Sequence, residues 1–129
     1  MRAERGSVTL LAAASMAVTL LLGMLAVEAT WLAAARLQAQ TAAEAAALAA
    51  APITFGSFGQ VADPAAEAAR FAGANEALLV SCRCPIDPVW RSRIVTVHVE
   101  VKVRAVLFGI TTVAAEASAQ FDPTVWLGG

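Results

Sequence analysis

Hydrophobic and polar positions along this chain fall into three regimes. From Val8 to Val27 no residue carries a charge, and a run of about 20 such residues is the length that crosses a bilayer as a helix. No proline follows Met1 until Pro52, and the Leu, Ala and Met that fill the interval favour helix. Ser7–Ala51 therefore reads as one rod of 45 residues, about 67 Å long at 1.5 Å per residue. Its second half changes character, since twelve of the nineteen residues from Ala33 to Ala51 are alanine. Arg36, Gln40 and Glu44 recur there at spacing four and form one polar stripe. The rest of that surface is small and mildly apolar, suited to close packing against another helix or against the globular part of the same chain. An inert helical spacer is the plainer alternative.

Beyond Pro52 the pattern shortens. Residues 52–62 read as a loop with Gly56 and Gly59. Asp63-Pro64 is an N-cap followed by proline at the first helical position, with Glu67 in the first turn. That helix should end near Gly73–Asn75. The period then becomes two: Leu78, Val80 and Cys82 alternate with Leu79, Ser81 and Arg83. After a loop with Pro85 and Pro88, Val95, Val97, Val99, Val101 and Val103 alternate with Thr96, His98, Glu100, Lys102 and Arg104, a half-buried strand. Gly109 marks a turn, and a third alternating stretch runs from Thr112 to Phe121. Three strands with short connections make an antiparallel meander. One of its faces needs cover, and the rod and the Asp63 helix are the only elements to supply it. The fold class is α+β: a hydrophilic leader (1–6), a transmembrane and projecting helix (7–51) and a small extracytoplasmic domain (52–129).

Composition sharpens this picture. At 59% hydrophobic and 15% charged, the chain is more apolar than an ordinary soluble domain. Nine basic and ten acidic residues leave no electrostatic footprint for nucleic acid. Arg2 and Arg5 flank the start of the span, so the positive-inside bias places the N-terminus in the cytoplasm and the C-terminal domain outside, in a single pass. Trp31 sits where an indole prefers the membrane interface, and Glu28 sits where a carboxylate can reach water. Ala33-Ala34-Ala35 offers a signal-peptidase cut, which would instead release a secreted soluble binding module. Within the span Ser15, Thr19 and Gly23 share one face, the spacing that lets two transmembrane helices approach closely; in so alanine-rich a helix, chance produces it equally well.

Candidate chemistry is sparse. Cys82 and Cys84 form a structural or intermolecular bridge or remain inert thiols; in a regular strand they would lie about 6–7 Å apart on one face, which opposes a bridge. An anchored thiol oxidoreductase rests on that pair alone. His98, on the wet face of a strand, reads as a solvated cross-strand residue, and metal binding would need ligands that the sequence does not group with it. Arg83, Arg91 and Arg93 flank the Pro85–Pro88 loop beside Trp90, a candidate partner-binding tip or a merely solvated loop. No nucleophile elbow, phosphate loop or paired-carboxylate site occurs, so neither catalysis, a cofactor nor a small-molecule substrate is expected.

Several weak motifs in a fixed order carry a resemblance. Arg5-Gly6-Ser7 precedes the apolar helix; Ala39-Gln40-Thr41-Ala42-Ala43-Glu44-Ala45-Ala46-Ala47-Leu48-Ala49 follows; then comes Ala68-Ala69-Arg70-Phe71-Ala72-Gly73-Ala74-Asn75-Glu76-Ala77-Leu78-Leu79-Val80-Ser81-Cys82. With the valine strand and Ala115–Ala119, this order resembles the TadE/TadG-like pseudopilins, in particular their short actinobacterial type. The resemblance implies a membrane-anchored minor pilin-like subunit of a Flp (tight-adherence) pilus or a related secretion machine. Its partners would be lipid, other pilin-like or Tad apparatus subunits and, at Gly6-Ser7, a prepilin peptidase. Two features depart from the pattern. Members with a processed leader carry glutamate at the fifth mature position, here Leu11, and often a cysteine at the start of the second helix, where this chain has none.

Overall fold

The computed structural model describes residues 2–56 and 62–127, without the side chains of 2–5, 126 and 127. Helix α1 runs unbroken from Arg2 to Ile53, about 78 Å at the standard rise. It takes in the segment read as leader and ends one residue beyond Pro52, so the expected loop begins later than the proline suggested. Residues 57–61 of that loop, Gly59 among them, lie outside the described residues, whereas Gly56 is within them. Helix α2 spans Pro64–Ala74, with the Asp63 side chain accepting a hydrogen bond from the Ala65 amide. It closes in a tight C-terminal turn in which the Ala77 amide donates to the Ala72 carbonyl at 2.9 Å and Glu76 takes a left-handed φ of 56°.

Strands β1 (Leu78–Arg83), β2 (Arg93–Ala105) and β3 (Gly109–Phe121) form one antiparallel sheet in sequence order. The β2–β3 register is unbroken from Arg93↔Phe121 to Ala105↔Gly109. The β1–β2 register slips between Leu79 and Ser81, a bulge that inserts Val80 as an extra residue. The expected alternation of Leu78, Val80 and Cys82 is therefore not realised. Leu79 and Cys82 are the partly buried positions, while Leu78 and Val80 face outward. The β2–β3 connection is the three residues 106–108, followed by Gly109 at φ 71°, where a side chain would be strained.

The core is small residues on helices against β-branched residues on the sheet. Ala39, Ala42, Ala43, Ala46, Ala47 and Ala50 of α1 and Ala68 and Ala72 of α2 are buried against Val95, Val97 and Val99. Arg36, Gln40 and Glu44 remain on the outer face, with Gln40 donating to Glu44 at 2.8 Å. Each fully buried valine contributes roughly 1.5–3 kcal/mol. Lengths match as well: the helix from Glu28 to Ile53 rises about 38 Å, and β2 spans about 40 Å. A short helix α3, Pro123–Leu127, follows β3. Its Asp122 accepts bonds from the Thr124 amide and hydroxyl, the arrangement already met at Asp63-Pro64.

Candidate helix-assembly site

Helix α1 has two halves with different surroundings. From Gly6 to Ala34 every residue is exposed except buried Glu28 and partly covered Leu32; beyond Ala35 one face is sheathed by sheet and α2. The exposed half is the one helix among the described residues that is long and apolar enough to cross a membrane by length and composition. Three of its hydroxyls bond back along the helix. The Ser15 hydroxyl donates to the Ala12 carbonyl, the Thr19 hydroxyl to that of Ser15 and the Thr30 hydroxyl to that of Ala26, each at 2.9 Å. Such back-bonded hydroxyls can enter hydrocarbon without an orphaned donor.

Of the three small residues on the expected packing face, Thr19 and Gly23 line an apolar groove of about 430 Å³, together with Met24, Val27 and the hairpin residue Val106; Ser15 does not line it. A Cβ built at Gly23 meets nothing within 4 Å. The chain's own fold thus leaves room on that face for something else. Gly6 and Ser7 lie within α1 as exposed positions.

Glu28 departs from the sequence expectation. It is 3% exposed rather than reaching water, and its carboxylate accepts hydrogen bonds from the amides of Val106 at 3.0 Å and Leu107 at 3.2 Å. It locks the β2–β3 hairpin tip against the helix at the end of the uncharged run. Sequence offered no signal for this, because the partners are backbone amides 78 and 79 residues away.

At the opposite end Arg93 does the equivalent work. It is 9% exposed, and its guanidinium donates to the carbonyls of Thr54 at 2.9 Å, Asp87, Val89 and Arg91. Phe55 lies beneath it, 5.5 Å from the guanidinium carbon, and packs edge-on against Trp90 at 5.2 Å. Arg93 therefore shapes the loop from within and is withdrawn from the group of candidate contacts. Arg83, Trp90 and Arg91 remain at the surface, with Arg91 3.5 Å from Asp87. The end of α1, the loop and the start of β2 form one fixture.

Cys82 lies at the end of β1 and Cys84 just after it, and the structure pairs them as a disulfide with Cα atoms 5.4 Å apart. The conflict with a regular strand is relieved because Cys84 has left the ladder. Both sulfur-bearing residues rest partly buried against the core. His98 pairs across the sheet with Glu116, Nε2 to Oε2 at 2.7 Å, as an exposed cross-strand pair. Among the described residues no three His, Cys, Asp or Glu side chains group as metal ligands.

Among the described residues, the titration shifts lie beyond the apolar half of α1. The Arg70 guanidinium hydrogen-bonded to Glu67 holds its carboxyl below the usual 4.5, and the Thr124 hydroxyl and amide hold Asp122 below 3.8. Both are helix-start carboxylates and serve structure.

The fold and the helix define a rod-and-domain protein with an uncovered apolar half. Residues 6–52 match the family described as putative Flp pilus-assembly TadE/G-like, which is the family the sequence resembles. The match ends where α1 ends, and the sheet lies beyond it. No curated protein and no solved structure matches the chain.

Proposed function

We propose that this chain is a membrane-anchored minor pilin-like subunit of a Flp-type pilus or related secretion machine, acting through helix–helix assembly. The N-terminus is cytoplasmic, the domain is extracytoplasmic and the pass is single. The observation that carries this reading is the uncovered half of α1: Gly6–Ala34 is apolar and helical, and its own domain leaves it bare apart from Glu28 and Leu32. The TadE/G-like match over that same helix supports an assembly role with other subunits of the apparatus. Glu28 argues against release by a cut near Ala35, because that cut removes the carboxylate from two amides it now satisfies and leaves them at a cost of about 1–3 kcal/mol each if they stay buried. The Cys82–Cys84 bridge pins the end of β1, and Trp90 with Arg83 and Arg91 offers a second contact at the far end of the rod.

The test is in-cell crosslinking from Thr19→Cys in a Cys82→Ser, Cys84→Ser background. Crosslinks to a pilin-like partner that vanish on adding Gly23→Leu support assembly through this face. Leucine is at home in lipid, and its Cβ would meet no atom of the chain within 4 Å. Crosslinks that persist undiminished would move the contact to another face. A mature N-terminus near Arg36 would contradict the anchored subunit altogether.

A further inference from the structure

The β2–β3 hairpin tip is a concentrated apolar exposed surface of the domain. Val106, Phe108 and Ile110 are 63%, 69% and 70% exposed, and Leu107 is 46% exposed. From Ala105 to Ala115 the chain carries no charge. A soluble domain rarely ends in so concentrated an apolar tip without a partner for it. Its position identifies that partner. Glu28 holds the tip beside α1 at the last turn of the uncharged run, and Val106 shares a groove with Leu20, Gly23 and Met24, residues well inside that run. The tip therefore sits level with helix surface that the proposed span places in lipid.

Directly above lies a belt of different chemistry. Trp31 on α1 lines one groove with Lys102 and Arg104 on β2, and both basic residues are exposed. Indole and long basic side chains are the groups that settle at the headgroup level, apolar stems down and charges toward phosphate. Apolar tip, aromatic-basic belt and polar sheet thus follow one another in the order of acyl chains, headgroups and water.

We propose that the β2–β3 tip is a second membrane contact, with Val106, Leu107, Phe108 and Ile110 immersed in the outer-leaflet acyl region and Lys102 and Arg104 on anionic headgroups. This inference rests on the spanning reading of α1. The domain then stands on the membrane at two points, which fixes its tilt and rotation relative to the span and so the direction in which the outer face of α1 is presented.

The full chain reconstituted in vesicles of phosphatidylcholine and phosphatidylglycerol tests it. In a Trp31→Phe, Trp90→Phe, Trp126→Phe background, single reporters are placed as Phe108→Trp, Leu21→Trp and Leu48→Trp. The expected result is severalfold stronger quenching of the 108 and 21 reporters by acyl-brominated lipid than by aqueous iodide, with the order reversed at 48. Iodide quenching at 108 alongside lipid quenching at 21 overturns the second contact and leaves the span intact. Shielding of 108 from both quenchers means that another protein surface covers the tip, and overturns it as well. Loss of lipid quenching at 21 overturns the spanning reading and this inference with it.

Discussion

The two halves of α1 are built from the same few residue types by the same helical geometry, yet they are dressed for different neighbours. In the first half Leu10, Leu11, Leu20, Leu21 and Leu22 stand exposed all around. In the second, Ala39, Ala43, Ala46, Ala47 and Ala50 are buried to the last few per cent, with bulk confined to the outer face. Helix propensity cannot distinguish these halves, because leucine and alanine are both strong helix formers. What distinguishes them is the space outside the backbone: on the proposed spanning reading the first half faces fluid lipid, which accepts large side chains at any azimuth, whereas a valine sheet leaves room only for a methyl group. Side-chain volume therefore records the environment, and hydrophobicity alone does not.

The sharpest way to break this contrast is a charge in the first half. Leu21→Arg should abolish membrane retention, since an arginine at mid-span costs about 2.5–3.5 kcal/mol on insertion scales; fractionation of the variant with membranes checks it. Bulk in the second half comes next. Ala43→Leu adds three heavy side-chain atoms at a position with no free surface and should destabilise the domain by about 1–3 kcal/mol. Leu20→Ala, one half earlier, should leave the domain's melting temperature unchanged. Equal responses from the two variants would erase the distinction between the halves.

A smaller effect is expected where α2 turns back toward the rod. Glu76 holds a left-handed φ, and Gln38 of α1 donates to the neighbouring Asn75 carbonyl at 3.1 Å. Glycine relieves a conformational cost of about 1–2 kcal/mol but enlarges the freedom of the unfolded chain. Glu76→Gly should therefore raise stability by no more than about 1 kcal/mol, measured by denaturant midpoint. Acid gives the smallest effect. Glu67 and Asp122 both titrate below their ordinary values in the fold, so the stability they supply is complete above the unfolded values and is lost as pH falls through the folded ones. Both groups lie at the surface, partly exposed and open to salt screening, so the loss should be slight, confined to the domain below about pH 4.5, and absent in a Glu67→Gln, Asp122→Asn double variant.

Much of this architecture was legible from local pattern. The Asp63-Pro64 start of α2, the turn at Gly109 and the valine face of β2 each depend on neighbours in sequence, and the alanine stretch showed which part of the rod needed close contact. The β1 bulge was not legible, because two-residue periodicity carries no mark of one inserted residue. Helix α3 could have been read from Asp122-Pro123, the same signal that announced α2. For the candidate site, Thr19 and Gly23 do fall on one groove, whereas the roles of Glu28 and Arg93 were hidden. Both bond to backbone groups, at sequence distances of 78 for Glu28 to Val106 and 39 for Arg93 to Thr54, and a backbone amide or carbonyl has no residue identity to recognise.

The most direct measurement of the two-environment helix is spin-label accessibility along it in reconstituted vesicles. Labels attach at Leu11→Cys, Leu21→Cys, Leu37→Cys and Leu48→Cys, one at a time, with Cys82 and Cys84 changed to serine. All four leucines are exposed in the chain's own fold, at 75%, 60%, 71% and 67%, so each label reports the medium around the helix. Labels at 11 and 21 should be open to oxygen and closed to a water-soluble nickel chelate, and those at 37 and 48 should show the reverse. Nickel access at all four positions, with no crossover between 21 and 37, would contradict the account.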